Sequence, residues 1–388
     1  MKITEIESVL VDLPTIRAHK LARQTVTTQT LVVVRVRTSE GIEGLGEATT
    51  IGGLSYGEES PEGTKLTIDT YVSPLLVGAD PCATGAAMAL IERHVVGNRL
   101  AKSAIETALL DIKGKALGIP VSSLFGGAQT TALEVAWGLA TGDAAKDIEE
   151  AERVLERKMH RIFKIKVGAG NADADVRRVA AVKAALGERG SVRVDANQNW
   201  DEVAARRAIA GMQAAGVDLI EQPVARHDRA AMGRLSRMFS VPLMADEAVA
   251  TPADAFQLAA ERACDVFALK IAKSGGLTGV AAVAAVAAAA GVGLYGGTML
   301  EGTIGSIASA HIFSALPQPI AFGTELFGPL LLTDDIVTER PIYRDFALVV
   351  PLAPGLGVAV DEDKLAHYRR DRSRTMTPMP QQQRTIAV

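Results

Sequence analysis

Cysteine is almost absent from this chain. Cys82 and Cys264 are the only two, far apart and in no CxxC or zinc-type spacing, which excludes a disulfide framework or a thiolate metal site and fits a reducing cytoplasm. Histidine is scarce as well: His19, His94, His160, His227, His311 and His367 are scattered, with no HExxH pair, and read as structural or surface residues. Neither sign of charge prevails, at 41 basic against 45 acidic residues, and no basic run precedes the C-terminal tail. Nucleic acid is therefore not an expected partner. The opening MKITEIESVLVDLP alternates apolar and polar residues and lacks the basic start and apolar block of a signal peptide. One stretch, Ser274 to Leu300, has no charged residue and by length alone would span a bilayer. It is mostly Ala and Gly, carries GG pairs at both ends and keeps step with a repeat, so no membrane association is expected.

With 48% hydrophobic and 22% charged residues, the composition is that of a soluble globular protein. The middle of the chain alternates short apolar runs with Ala-rich helical segments such as DADVRRVAAVKAAL (173–186) and DEVAARRAIAGMQAAG (201–216). The runs are LEVAW (133–137), FKIKV (163–167), VRVDA (192–196), LIEQP (219–223), LMADE (243–247), VFALKI (266–271), VGLYG (292–296) and IAFGTEL (320–326), spaced 23 to 30 residues apart. Eight strands at that spacing predict an α/β fold with a closed parallel barrel. A doubly wound open sheet is the alternative, but WGLATGD (137–143) is a poor phosphate turn. Residues 1–130 predict a separate α+β domain, with an antiparallel hairpin turning at Ser39–Gly41 and helices around 61–75, 84–97 and 100–117. GLGEATTIGG (44–53) follows a hairpin and reads as a flexible loop rather than a phosphate cradle. The barrel is expected over 131–326, a segment packing back on the first domain over 327–368, and a disordered polar tail over 369–388.

The charged residues acquire a meaning in that frame. Strand side chains alternate faces, so Lys164 and Lys166 of FKIKV point the same way, and in a βα barrel the reacting groups gather at the C-terminal strand ends. Successive strand ends present Lys164 and Lys166, then Asp195, Glu221, Asp246 and Lys270. A lone Lys or Asp at a strand end is usually solvated or ion-paired; six that keep phase through five units indicate one site. Asp195, Glu221 and Asp246 form an oxygen-only set suited to Mg²⁺ or Mn²⁺ rather than zinc. Lys166 and Lys270 are expected to face each other across the metal. A metal holding a substrate carboxylate as an enediolate, beside a lysine that moves a proton at the α-carbon, is the matching chemistry. Lys166 is the expected proton carrier, Lys164 its electrostatic neighbour, and Glu325, at the end of the eighth strand, faces the same mouth.

The runs KIK (164–166), VDAN (194–197), IEQP (220–223), ADE (245–247) and LKIAKSGG (269–276) resemble the enolase superfamily, and within it the muconate lactonizing subgroup. Its members place a KxK pair on strand two, metal carboxylates on strands three to five and a lysine on strand six. VDLPTIRAHKLA (11–22), GEATTIGGLSYGEESPEG (46–63), LYGGTMLEG (294–302) and GTELFGPLLLT (323–333) extend the likeness to bacterial muconate cycloisomerases over roughly residues 1–368. The resemblance implies a modified (β/α)8-type barrel, (β/α)7β, with an N-terminal α+β capping domain whose loops near 19–25 and 49–60 select substrate. Ile51, Tyr56 and Asn197 are the substrate contacts it suggests. It further implies Mn²⁺ or Mg²⁺ as cofactor, a small dicarboxylate as substrate, and a homo-oligomer, an octamer by the family's example. The implied reaction is cycloisomerisation of cis,cis-muconate to muconolactone in catechol degradation by the β-ketoadipate route. Chloromuconate cycloisomerases are the neighbouring alternative. Dipeptide epimerases carry an Asp-x-Asp that FGTELF (322–327) lacks, and racemase-like members a histidine that LYGGTM (294–299) lacks. A metal-stabilised binding barrel, the non-enzymatic alternative, would not need opposed lysines.

Overall fold

The alternating N-terminal sequence folds as an antiparallel meander in which β1 (Ile3–Lys20) pairs with β2 (Thr25–Thr38) and β2 with β3 (Glu43–Thr49). The computed structural model describes residues 1–20 and 25–370. Part of the loop expected near 19–25 and the tail from 371 onward therefore lie outside the described residues. Helices α1 (Thr84–His94) and α2 (Arg99–Leu117) follow, and α2 stops at Gly118, whose φ of 69° provides the left-handed cap. The glycines of GLGEATTIGG let β3 lie directly on α2. A Cβ on Gly46 would sit 1.9 Å from the Ala104 carbonyl oxygen, and one on Gly44 2.1 Å from that of Ala108. Asp111 of α2 is fully buried and accepts the Leu45 and Leu356 backbone N–H groups and the Lys115 ammonium. One carboxylate thus joins the meander, the helix and the C-terminal segment.

The run LEVAW does not form a single strand. Ala132–Glu134 (β4) pairs antiparallel with a C-terminal strand, Val135 donates to the Phe346 carbonyl, and the barrel strand begins only at Ala136. Seven parallel strands then run in chain order across one curled sheet: β5 (Ala136–Leu139), β6 (Ile162–Lys166), β7 (Ser191–Asp195), β8 (Leu219–Glu221), β9 (Leu243–Ala245), β10 (Val266–Leu269) and β11 (Gly293–Gly296). The eighth expected strand, IAFGTEL, is reduced to Thr324, which bridges Val135 on one side and Gly296 on the other. Gly323, at φ 78°, bends the chain just before that bridge, and the backbone of Gly323–Glu325 bonds Gly296 on one side and Glu134 and Ala136 on the other.

Helices α3 (Ala144–Glu156), α4 (Ala172–Leu186), α5 (Glu202–Ala214), α6 (Arg229–Met238) and α7 (Pro252–Ala260) each begin on a side chain that accepts a first-turn N–H: Asp143, Asn171, Asp201, Asp228 and Thr251. The uncharged stretch from Ser274 holds α8 (Leu277–Ala290), β11 and the turn before α9 (Thr303–Ala315). No described helix is long and apolar enough to cross a membrane. The polypeptide then forms β12 (Tyr343–Arg344) and β13 (Ala347–Val349), the partner of β4, and ends its described course after α10 (Glu362–Tyr368). Arg35 of β2 pairs with Glu362, and Thr15 and Val11 of β1 bridge Leu332 and Arg369. Arg369 and Arg370, assigned to the tail from composition, are thus docked; Arg370 pairs with Asp12 and Glu62.

Two-residue periodicity fills the barrel in layers. Leu219, Met244, Val266, Ala268 and Tyr295 form an apolar cluster at its lower level, with Arg193 over the Tyr295 ring at 5.3 Å. Two residues further along the same strands stand Asp195, Glu221, Asp246 and Lys270, so the interior changes from apolar to charged at the mouth.

Two stability measurements follow. Gly46→Ala should lose about 2 kcal/mol or more in urea unfolding, because its methyl meets a helix backbone that cannot yield, whereas Gly85→Ala, in α1 with nothing within 4 Å of the new methyl, should gain about 0.5–1 kcal/mol. The second concerns His160, whose Nδ1 donates to the Val135 carbonyl at 2.9 Å and whose imidazole is pushed by burial down to about 4. Between pH 6.5 and that value the unfolded chain binds a proton that the native one does not, so stability falls on acidification across this window. His160→Phe should lessen that loss by about 2–3 kcal/mol relative to the parent.

Candidate active site

The strand ends converge as the spacing implies, and the alternation that fills the core delivers their side chains inward. Lys166 lies opposite Asp195 in the β6–β7 ladder and Asp195 opposite Glu221 in the β7–β8 ladder. Lys164 is almost sealed from water, with its ammonium 2.7 Å from Glu221, 2.5 Å from Glu325 and 3.2 Å from Asp195. Burial disfavours its charge, but Glu221, Glu325 and Asp195 outweigh that and hold it well above the ordinary lysine range. Lys166 is the more accessible of the pair, its side chain 21% exposed, and donates to Asp195 at 2.5 Å and to Asn197 Oδ1 at 3.0 Å. The two lysines of FKIKV therefore meet through a shared carboxylate oxygen, Asp195 Oδ2, not merely side by side.

On the far strands Lys270 donates to Asp246 Oδ2 at 2.7 Å, and Lys273, one helical turn later, to Asp246 Oδ1 at 2.7 Å and to its carbonyl at 2.5 Å. Burial works against ionisation of Asp195 and Asp246, yet the lysines prevail and lower both carboxyls. Glu221 goes the other way: burial, with the negative charge of Asp195 added, raises it well above the carboxylate range. Burial next to Asp246 likewise raises Glu247, whose Oε2 is buried without a hydrogen-bond partner.

These observations bear on a metal. Among the described residues no three His, Cys, Asp or Glu side chains stand ready-made around one ion, and lysine ammoniums lie against the carboxylates instead. The donor chemistry nonetheless fits a hard divalent cation. The available groups are carboxylate oxygens on adjacent strands, and burial together with neighbouring carboxylates disfavours the charge of Glu221 and Glu247, a cost that a divalent cation would relieve.

Backbone geometry supports the same locus. Asn197, Gln198, Gln222 and Leu300 have φ of 43°, 68°, 34° and 63°, left-handed values unusual for non-glycine residues, and all follow strand ends at the mouth. Asn197 caps Asp195 with its backbone N–H, accepts Lys166 and donates to Glu247. It thus orients the proposed proton carrier, beyond the substrate contact expected of it. Gln222 accepts the backbone N–H groups of Asp246 and Ala248, fixing the neighbouring strand end. From the cap, Ile51 and Tyr56 line the cavity together with Thr50, and Lys164, Lys166, Asp195, Asp246, Lys270 and Glu325 line it from the barrel. Glu221 sits beside Lys164 without lining it. No histidine lines it; His160 and His311 are buried elsewhere. Sequence reading missed Glu247, Lys273, Gln222 and Phe327. The first two were within reach, one residue past Asp246 and one helical turn past Lys270.

The N-terminal part matches the model of the mandelate racemase / muconate lactonizing enzyme N-terminal domain over residues 5–126, and the rest the enolase C-terminal domain-like model over 146–364. Muconate cycloisomerase 1 of Pseudomonas putida is 55% identical over 95% of this chain and 98% of its own length. Muconate cycloisomerase 1-2 of Acinetobacter lwoffii is 54% identical over 96% of each chain. The crystal structure of muconate lactonizing enzyme from Pseudomonas fluorescens complexed with muconolactone superposes with a TM-score of 0.94 at 57% identity, covering 95% of this chain and 99% of that one. With its capped barrel, its lysine-and-carboxylate mouth and this end-to-end similarity, the chain belongs to the muconate cycloisomerase (muconate lactonizing enzyme) family of the enolase superfamily.

Proposed function

We propose that this chain is an isomerase that closes cis,cis-muconate to muconolactone in catechol degradation. The single observation that carries the assignment of roles is Lys166: a partly exposed ammonium in the cavity, held by Asp195 and Asn197 and beside a charge-locked Lys164. One substrate carboxylate adds through oxygen to the far double bond, forming the lactone C–O bond. The displaced electron pair moves to the carbon next to the second carboxylate. Lys166 gives that carbon its proton, and solvent restores the ammonium afterwards. Lys164 keeps its charge throughout and, with Lys270, favours negative charge building in the substrate. Glu325 holds Lys164 in place.

Members of this group use a divalent metal. We assign Asp195, Glu221 and Asp246 to hold it, as Mn²⁺ or Mg²⁺; when bound it supplies a positive charge that neutralises a substrate carboxylate. Ile51 and Tyr56 close the cavity from the cap and select the dienoate. The division into cap (1–130), barrel (131–326) and returning segment (327–368) is part of the same reading. A homo-oligomer, an octamer by the family's example, belongs to it as well. A cytoplasmic location fits the two unpaired thiols.

The two lysines are expected to fail differently. Lys166→Ala should lower kcat for muconate by about 10²–10⁴-fold, followed as ultraviolet loss of the diene with Mn²⁺ present, while leaving the melting temperature and Mn²⁺ affinity near the parent's. Lys164→Met strands three buried carboxylates and should cost about 3–5 kcal/mol of stability. Equal effects on stability and turnover in both variants would refute the division of labour. Faster turnover of a chloromuconate than of muconate by the parent would move the assignment to the chlorinated substrate.

A further inference from the structure

Glu150, on α3, is a buried carboxylate that the proton chemistry does not use. Its Oε1 receives Arg17 Nη2 at 2.7 Å from β1 of the cap and Trp137 Nε1 at 2.8 Å from β5 of the barrel. The pair is largely withdrawn from water, Arg17 at 27% and Glu150 at 9% side-chain exposure. Arg17 also reaches the carbonyl of Gly138 at 3.4 Å, and Gly138 is the ladder partner of Lys164. On its ring faces Trp137 stacks against the neutral His160, centroids 4.9 Å apart at 24°, and leans on Phe327 at 5.6 Å and 59°. Phe327 lines the cavity two residues beyond Glu325.

One carboxylate oxygen thus ties three things together: the outer part of the cap hairpin, the indole, and through the indole the aromatic wall of the cavity. We propose that Arg17, Glu150 and Trp137 are positioning residues, a clamp that fixes Phe327 relative to the cap and so sets the space offered to substituents on the diene carbons of the substrate. The substrate class rests on the proposed reaction; the clamp rests on the contacts themselves. A charge-assisted hydrogen bond shared by two donors has one good geometry, so losing either donor frees the other to drift. A purely mechanical staple between cap and barrel would hold the two parts together without discriminating between substrates.

The test uses Arg17→Met, Glu150→Gln and Trp137→Phe, with kcat and KM measured for muconate and for 2-chloromuconate. The clamp predicts a KM for muconate raised about five-fold with kcat within about two-fold, and a ratio of kcat/KM between the two substrates changed by about five-fold. Arg17→Met combined with Glu150→Gln should do no more than Glu150→Gln alone. An unchanged substrate ratio in all three variants, or fully additive losses in the double variant, would overturn it. Emission from Trp137, read in a Trp200→Phe background, gives a second readout that needs no turnover: Arg17→Met and Glu150→Gln should shift it alike, and an unshifted spectrum in both overturns the clamp. If the parent chain leaves muconate untouched, the reaction assignment fails while the emission still decides the clamp.

Discussion

Lys164 stands among Asp195, Glu221 and Glu325 with almost no access to water, and such a charge survives burial only when it is met on several sides. The desolvation of an ammonium costs several kcal/mol, and so does that of each carboxylate around it. The mouth of this barrel is therefore an interlocked set: moving one strand end by a residue would turn a charge toward the outer helices and strand its partners. Gln222 holding the Asp246 backbone, Asn197 holding Asp195 and Lys166, and the left-handed residues that follow the strands are the local devices that keep those ends in place. The proposed proton carrier is placed where this constraint is tight, because a group that moves a proton needs neighbours that do not move.

The charged layer at the mouth was legible because strand alternation and the βα spacing are both periodic. Once Lys164 and Lys166 were put on one face, the phase of Asp195, Glu221, Asp246 and Lys270 followed without further information. The ends of the barrel were less legible. LEVAW looks like a uniform strand, yet its first half pairs with β13, more than 200 residues later in the chain, a contact that no local pattern announces. IAFGTEL has strand-like composition but closes the barrel only through the short stretch around Thr324, where Gly323 bends the chain. Glu247 and Lys273 escaped for a different reason. Both lie off the strand phase, one residue past Asp246 and one helical turn past Lys270, so strand alternation passes over them although they sit next to residues it selects; the folded backbone brings them round to Asn197 and Asp246.

The cap's hairpin and helices were read correctly, but GLGEATTIGG was read as a flexible loop, whereas Glu43–Thr49 is the buried strand β3 paired with β2. Gly44 and Gly46 serve the contact between β3 and α2, and that contact seats the Thr50–Tyr56 loop above the lysines. The same principle recurs at Asp111 and Glu150. Each is a buried carboxylate that gathers donors from elements distant in sequence: Asp111 sets the cap against the C-terminal segment, and Glu150 sets it against the barrel. Packing fixes the approximate arrangement, and a few fully satisfied charges fix the register.

The central claim is that Lys166 delivers a proton to one face of the substrate carbon, and the direct measurement is turnover of cis,cis-muconate in D₂O with NMR of the product. The account predicts muconolactone carrying one deuterium, in a single configuration, at the carbon beside the free carboxylate, and its formation by Lys166→Ala slowed about 10²–10⁴-fold. Deuterium spread over both configurations, or labelled product formed at the parental rate without Lys166, would contradict it.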